Sequence, residues 1–110
     1  MTITTLKLSA PITAHGDPMT ALNLRHATGR DIRECGLPYR LDSEGGIIID
    51  SRAAHRMIAQ LAAVPPSSID QLSGPDWNNA AQAVLTMVAG QQVAAVEAAL
   101  AEALGSAAGD

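Results

Sequence analysis

Phenylalanine is absent from this chain, and tryptophan and tyrosine occur once each, as Trp77 and Tyr39. Hydrophobic residues make up 47% of the 110 positions, but many of them are alanines. At about 25 cal/mol per Å² of buried apolar surface, each alanine contributes little. A core is possible but thin, and a binding partner or a second copy of the chain can supply what it lacks. The length suits one domain. Cys35 stands alone, which excludes an internal disulfide and suits a reduced, half-buried filler. Lysine is nearly absent too. Six of the seven basic residues are arginines, all within Arg25–Arg56, and none follows Arg56. With a formal net charge of -4, this balance argues against nucleic acid as a simple partner. No run has the length and uniform apolarity of a membrane span. Lys7 is too isolated, and the residues after it are too polar, for a secretion signal. The expected setting is the cytoplasm.

Catalytic patterns are also missing. His15, His26 and His55 form no tight ligand pair with one another or with Cys35, whereas structural zinc sites use compact spacings. A cysteine nucleophile needs a positioned base and an orienting acid, and nothing specific marks either. Asp42 and Glu44 lie in a glycine-rich loop. Gly45-Gly46 has no following lysine and serine of the kind that builds a phosphate loop. The reading is a protein that is not an enzyme, with no cofactor and no metal.

What is present is a sequence of well-punctuated elements. Thr2 to Leu8 alternates, with Ile3, Thr5 and Lys7 on one face and Thr4, Leu6 and Leu8 on the other, as in a half-buried strand. Ser9-Ala10-Pro11 interrupts it. Gly16-Asp17-Pro18 signals a turn, and Met19 to Leu24 alternates again, with Leu22 and Leu24 together. This predicts an antiparallel hairpin with a long or bulged connection, needing cover from helices or another subunit. Thr28-Gly29-Arg30-Asp31 has the form of a capping box opening a short helix over 29–35 that Gly36 ends. Leu37-Pro38 forces an extended exit.

Tyr39 to Gly46 reads as loop, and Ile47-Ile48-Ile49 as a brief strand or an apolar lead-in. Asp50 or Ser51 caps a helix running to about Ala63, with Ala54, Met57, Ile58, Leu61 and Ala62 as its buried stripe and Arg52, Arg56 and Gln60 mostly on the wet side. Pro65-Pro66 stops it. A short helical turn comes next, with Ile69 and Leu72 along one edge. Ser73 then caps a last helix, with Pro75 in its first turn and Asp76 at its positive end, extending from Pro75 to about Leu104. That helix carries two apolar stripes, Trp77, Ala81, Val84, Val88 and then Val93, Val96, Leu100, Leu104, with Gly90 between them. The remaining residues, 105–110, read as a flexible tail. The expected organisation is a single α+β domain over 1–104: an N-terminal β-hairpin region over 1–27 and a mainly helical part over 28–104. The helical part holds a short helix, a mid-chain helix broken at Pro65-Pro66 and a long alanine-rich C-terminal helix.

Two surfaces are candidates for binding another chain. Arg25, Arg30 and Arg33 can grip an acidic segment, although Arg30 and Glu34 also suit a surface pair of roughly 0.3–0.5 kcal/mol. The last helix has more apolar surface than so small a domain can cover, so Trp77, Val84, Val88, Val93, Val96 and Leu100 are candidates to meet a partner, since a helix laid in a groove is a common recognition mode. The bland alternative is a core that takes both stripes.

Taken in order, several segments resemble the tail assembly chaperones of contractile-tailed, Mu-like and P2-like bacteriophages. They are the opening Thr2-Ile3-Thr4-Thr5-Leu6-Lys7-Leu8-Ser9-Ala10-Pro11-Ile12, then Leu24-Arg25-His26-Ala27-Thr28-Gly29-Arg30-Asp31-Ile32-Arg33, then Gly36-Leu37-Pro38. Next comes the run from Ile58 through Leu61, Pro65 and Pro66 to Leu72, with Ser73-Gly74-Pro75-Asp76 after it. The similarity spans about Thr2 to Val88. Members often have an acidic residue near the position of His26 and aromatic residues late in the long helix, where this chain has neither. The resemblance implies a non-enzymatic chaperone that binds and shields the tape measure protein, works in the bacterial host cytoplasm and is absent from the finished virion. It also implies a possible longer form made by ribosomal frameshifting; release is expected when tail tube protein competes for the same surface, and the thin core leaves homo-oligomerisation an open option. The alternatives are a small dimeric adapter or nucleic-acid-binding regulator using Arg25, Arg30, Arg33, Arg52 and Arg56, which would bind with steep salt dependence, and a minor structural tail protein.

Overall fold

A computed structural model of the chain describes residues 3–90. Strands β1 (Ile3–Ala14) and β2 (Asp17–Arg25) form an antiparallel hairpin. Its turn is His15-Gly16, both with positive φ (55° and 81°), the backbone hand that matches the twist of paired strands. The interruption expected at Ser9-Ala10-Pro11 is a bulge inside one long strand. Lys7 pairs with Ala21 and Ile12 with Met19, so residues 8–11 face Thr20 alone. The bulge keeps Leu8, Ile12 and Ala14 on the buried side with Leu22 and Leu24.

Helix α1 (Gly29–Cys35) begins at the capping box read from Thr28 and Asp31, and Gly36 ends it at φ 89°, where a side chain would be strained. The segment expected to be loop pairs instead. Strand β3 (Tyr39–Leu41) lies antiparallel to β4 (Ile47–Ile49). The Asp42 Oδ1 closes their turn by accepting from the amides of Glu44 and Gly46 at 2.9 and 2.7 Å. Helix α2 (Ser51–Ala62) is capped by Asp50, which accepts from the Ala53 amide at 3.2 Å. Helix α3 (Pro66–Ile69) comes after the Pro65-Pro66 break. A last helix, α4, is described over 74–90. Ser73 caps it, its Oγ accepting from the Asp76 amide at 3.3 Å. The expected extension to Leu104 and the tail over 105–110 lie outside the described residues.

The hairpin lies on the helices. Its inner face, Leu8, Ile12, Leu22 and Leu24, packs with Met57, Ile58 and Leu61 of α2, Ile69 of α3 and Ala80, Ala81 and Val84 of α4 in one core. Ala54, Met57, Ile58 and Leu61 are buried as expected, Ala62 is half-buried, and Ala53 and Ala59 are buried as well.

A charged group that ties three elements together lies inside this frame. The Asp31 carboxylate is only 2% exposed. Its Oδ2 accepts from Arg25 Nη1 at 2.7 Å and from the Thr28 amide and hydroxyl at 2.9 and 3.0 Å. Its Oδ1 accepts from Arg25 Nη2 and Gln60 Nε2, both at 2.7 Å. The forked pair joins the end of β2 to α1, and Gln60 ties α2 to both. Gln60 was expected on the wet side; its amide also donates to Glu34 at 3.0 Å, and its oxygen accepts from the Cys35 thiol at 3.4 Å. The Arg25 guanidinium holds the Asp31 carboxyl well below the usual carboxylate range, helped by Gln60 and Thr28 against the opposing effect of burial.

Because the folded carboxyl titrates below its unfolded value of about 3.9, its stabilisation is complete above that pH and is lost as the pH falls through the folded value. Asp31→Asn is expected to lower unfolding free energy by about 3 kcal/mol at neutral pH, and to flatten the loss of stability below about pH 4. Urea titrations of both proteins from pH 3 to 7 check this; equal pH slopes refute it. Ala63 ends α2 in the left-handed region at φ 58°, ψ 41°. Ala63→Gly relieves that conformation and is expected to stabilise the chain by about 1 kcal/mol, read as a higher melting temperature.

Candidate partner-binding face

The bulge in β1 meets the start of α4. Asp76 Oδ2 accepts from the Ser9 amide at 2.9 Å and the Ser9 hydroxyl at 2.8 Å. These bonds draw its pKa below the ordinary value. Further along β1, Gln71 acts as a substitute strand: the Thr13 amide donates to its Oε1 at 2.8 Å, and its Nε2 donates to the Thr13 carbonyl at 3.0 Å. Ser68 Oγ donates to the same carbonyl at 2.9 Å. Side chains from the α3–α4 region therefore occupy the outer edge of β1 at Ser9 and Thr13.

Below the bulge the edge opens. A groove of about 1190 Å³ runs between residues 4–8 of β1 and one face of α4. Five successive strand residues line it, so the strand presents its edge, since alternate side chains point to opposite faces. The helix wall is Asn79, Gln82, Ala83, Thr86, Met87 and Gly90, the spacing of one helical face. Leu6, Leu8, Ala83, Met87 and Val88 give it an apolar floor. Lys7 and His26 stand at the rim, and Asp76, its carboxylate, is held by Ser9.

The expected partner residues separate into several groups. Val84 is fully buried in the core and has no surface to offer. Val88 is half-buried and lines the groove. Trp77 is on another side of α4. Its indole Nε1–H donates to His55 Nδ1 at 3.1 Å with the rings stacked at 6.4 Å, while His55 Nε2 lies 3.0 Å from the Pro66 carbonyl. Arg25 is engaged by Asp31, Arg30 pairs with Glu34 at 3.6 Å, and Arg33 is exposed. These arginines are not in the groove. Val93, Val96 and Leu100 lie outside the described residues.

The residues carrying the resemblance are structural. Leu24, Pro38 and Leu61 are buried, Leu72 is half-buried, Thr28 and Asp31 make the box, Gly36 ends α1, Pro65 and Pro66 open α3, and Asp76 anchors the bulge. The groove itself was missed. Its helix wall is legible as the Ala83/Met87 spacing, but its other wall depends on which edge of β1 stays open, which periodicity does not report.

Burial pushes the Cys35 thiol up, away from the reactive thiolate, with Asp31 and Glu34 adding to the effect. Among the described residues no cluster of His, Cys, Asp or Glu is arranged to hold a metal ion, and no helix is long and apolar enough to cross a membrane.

A family model described as "Phage tail assembly chaperone proteins, E, or 41 or 14" matches residues 5–89. The chain belongs to this family of phage tail assembly chaperones. No curated protein and no solved structure matches it. The match begins in β1 and ends in α4, so it takes in both walls of the groove and the Asp31 network. The protein is thus a tail assembly chaperone, a non-enzymatic role, on a mixed α+β fold. His55→Ala is expected to move the emission of Trp77, the chain's single tryptophan, to the red by removing the ring and acceptor that cover its indole; an unmoved spectrum contradicts the stacked arrangement.

Proposed function

We propose that this chaperone's client is the tape measure protein of its phage, and that the groove between β1 and α4 is where the client docks. The observation that supports the reading is the apolar, open groove within the segment that the family model matches. An unassembled tape measure protein is long and prone to aggregate. Many modest apolar contacts shield such a chain without locking it, because buried area does not translate directly into affinity. The net charge of -4 helps keep the covered complex in solution. Tail tube subunits competing for the same client surface would release the chaperone, which acts in the host cytoplasm and is left out of the virion. A frameshifted longer form sharing these residues would present the same groove.

The arginine-based regulator is less well supported, because Arg25 and Arg30 are engaged with carboxylates within the chain. Co-expression with the tape measure protein from the same phage is expected to give a complex by pull-down and to lower light scattering by the client. Thr86→Arg and Gln82→Asp change exposed groove positions. Each is expected to weaken capture about tenfold, or roughly 1.4 kcal/mol, with the melting temperature unchanged. Failure to form a complex, or full capture by both variants, refutes the reading.

A further inference from the structure

The outer edge of β1 is treated differently along its length. At Ser9 and Thr13, its backbone groups are occupied by Asp76, Gln71 and Ser68. At residues 4–8, no described side chain bonds the backbone from that side. Among the described residues the sheet has only two strands, β1 and β2, and β2 takes one edge of β1. In a strand, half of the N–H and C=O groups point to each side. The edge over 4–8 therefore leaves backbone donors and acceptors facing the groove. A strand edge left open beside an apolar wall is a template for pairing, which proteins ordinarily cover or blunt.

From this we infer that the groove receives its protein partner as an added β-strand. The proposal rests on reading the groove as the client site, and goes further by stating the form the client takes there. A helix laid in the groove contacts the α4 wall but leaves the β1 edge unpaired. An extended segment satisfies the edge and the wall together. Its backbone pairs with residues 4–8, and its alternate side chains descend onto Ala83, Met87 and Val88. Side chains on its other face lie beside Thr5 and Lys7, the exposed face of β1.

Charge defines the segment further. Lys7 carries the positive charge at the rim, beside the His26 ring, and among the described residues the only carboxylate lining the groove, Asp76, is held internally by Ser9. The complementary occupant is apolar at alternate positions, with an acidic residue on the face beside Lys7. The addition extends over about five residues, because the Asp76–Ser9 contact and the bulge close the edge above them.

Amide hydrogen exchange on the full chain, alone and in complex with the co-expressed tape measure protein, tests the inference. The expected result is that the outward-facing amides among residues 4–8, those not bonded to β2, gain about tenfold or more protection in the complex, with β2 little changed. Lys7→Glu is expected to weaken capture about threefold, with a shallower salt dependence than wild type. A complex that forms by pull-down while residues 4–8 exchange as fast as in the free chain overturns strand addition and leaves the tape measure reading in place. Strong protection of those same outward-facing amides in the chaperone alone also overturns it. If that protection rises with protein concentration, the edge is taken by a second copy; if it does not, by another part of the same chain. The absence of any complex, seen separately by pull-down, defeats the client assignment and this proposal together.

Discussion

The buried Asp31 carboxylate is the constraint on which the arrangement of elements depends. It accepts from Arg25 at the end of β2, from Thr28 at the start of α1 and from Gln60 on α2. Two neighbouring elements and one distant in sequence are thus fixed against one charged group at 2% exposure. A buried ion pair is not by itself strong evidence for stability, since removing two charges from water is costly. Its effect here is on orientation. Each oxygen is matched, the arginine fork is bidentate, and a shifted helix would leave a charge buried without partners. In a core that lacks phenylalanine and leans on alanine, apolar packing alone tolerates more alternatives. The network narrows them.

Asp76 plays a parallel part midway along β1. It fastens the β1 bulge to the first turn of α4 through Ser9, while Gln71 and Ser68 hold Thr13. Together these contacts set the angle between strand and helix, and so the width of the groove. Neither acid lies where a partner would meet it unpaired. Both resemble catalytic carboxylates in burial or in shifted pKa, yet their shifts come from hydrogen bonds that hold the fold. A perturbed carboxylate is a clue to function only when its partners leave it something to do.

Local signals in the sequence were reliable where one residue type has one physical use. The Thr28–Asp31 box, the Gly36 stop, the Asp50 and Ser73 caps and the Pro65-Pro66 break all lie where the residues put them. The buried face of α2 was set by its period. Ile47–Ile49 was readable as a brief strand, but its pairing with β3 was not, because each strand has three residues, too few for alternation to show, and the turn between them depends on Asp42 reaching two amides. Gln60 was misplaced because amphipathic spacing ranks a glutamine as solvent-facing and knows nothing of a carboxylate arriving from α1. Val84 was offered to a partner on the same logic; the stripe is apolar, but the hairpin covers its inner part.

As the proposed client site, the groove would explain how so small and alanine-rich a domain serves as a chaperone. A client must be bound firmly enough to stay in solution and loosely enough to be handed on. Large aromatic anchors would concentrate the affinity in a few places, and the described groove has none. Its floor is Leu6, Leu8, Ala83, Met87 and Val88, of which methionine adapts its shape most readily. In the proposed strand addition, backbone pairing along the open edge would add attachment that is nearly blind to the client's sequence, while the alternate side chains and the rim charge would impose a mild preference. On the proposed reading, this division would suit a protein that holds a long client at many places: the strand edge would provide generality, the α4 wall would select segments with one apolar face, and the short span below the bulge would keep any single contact weak enough to exchange.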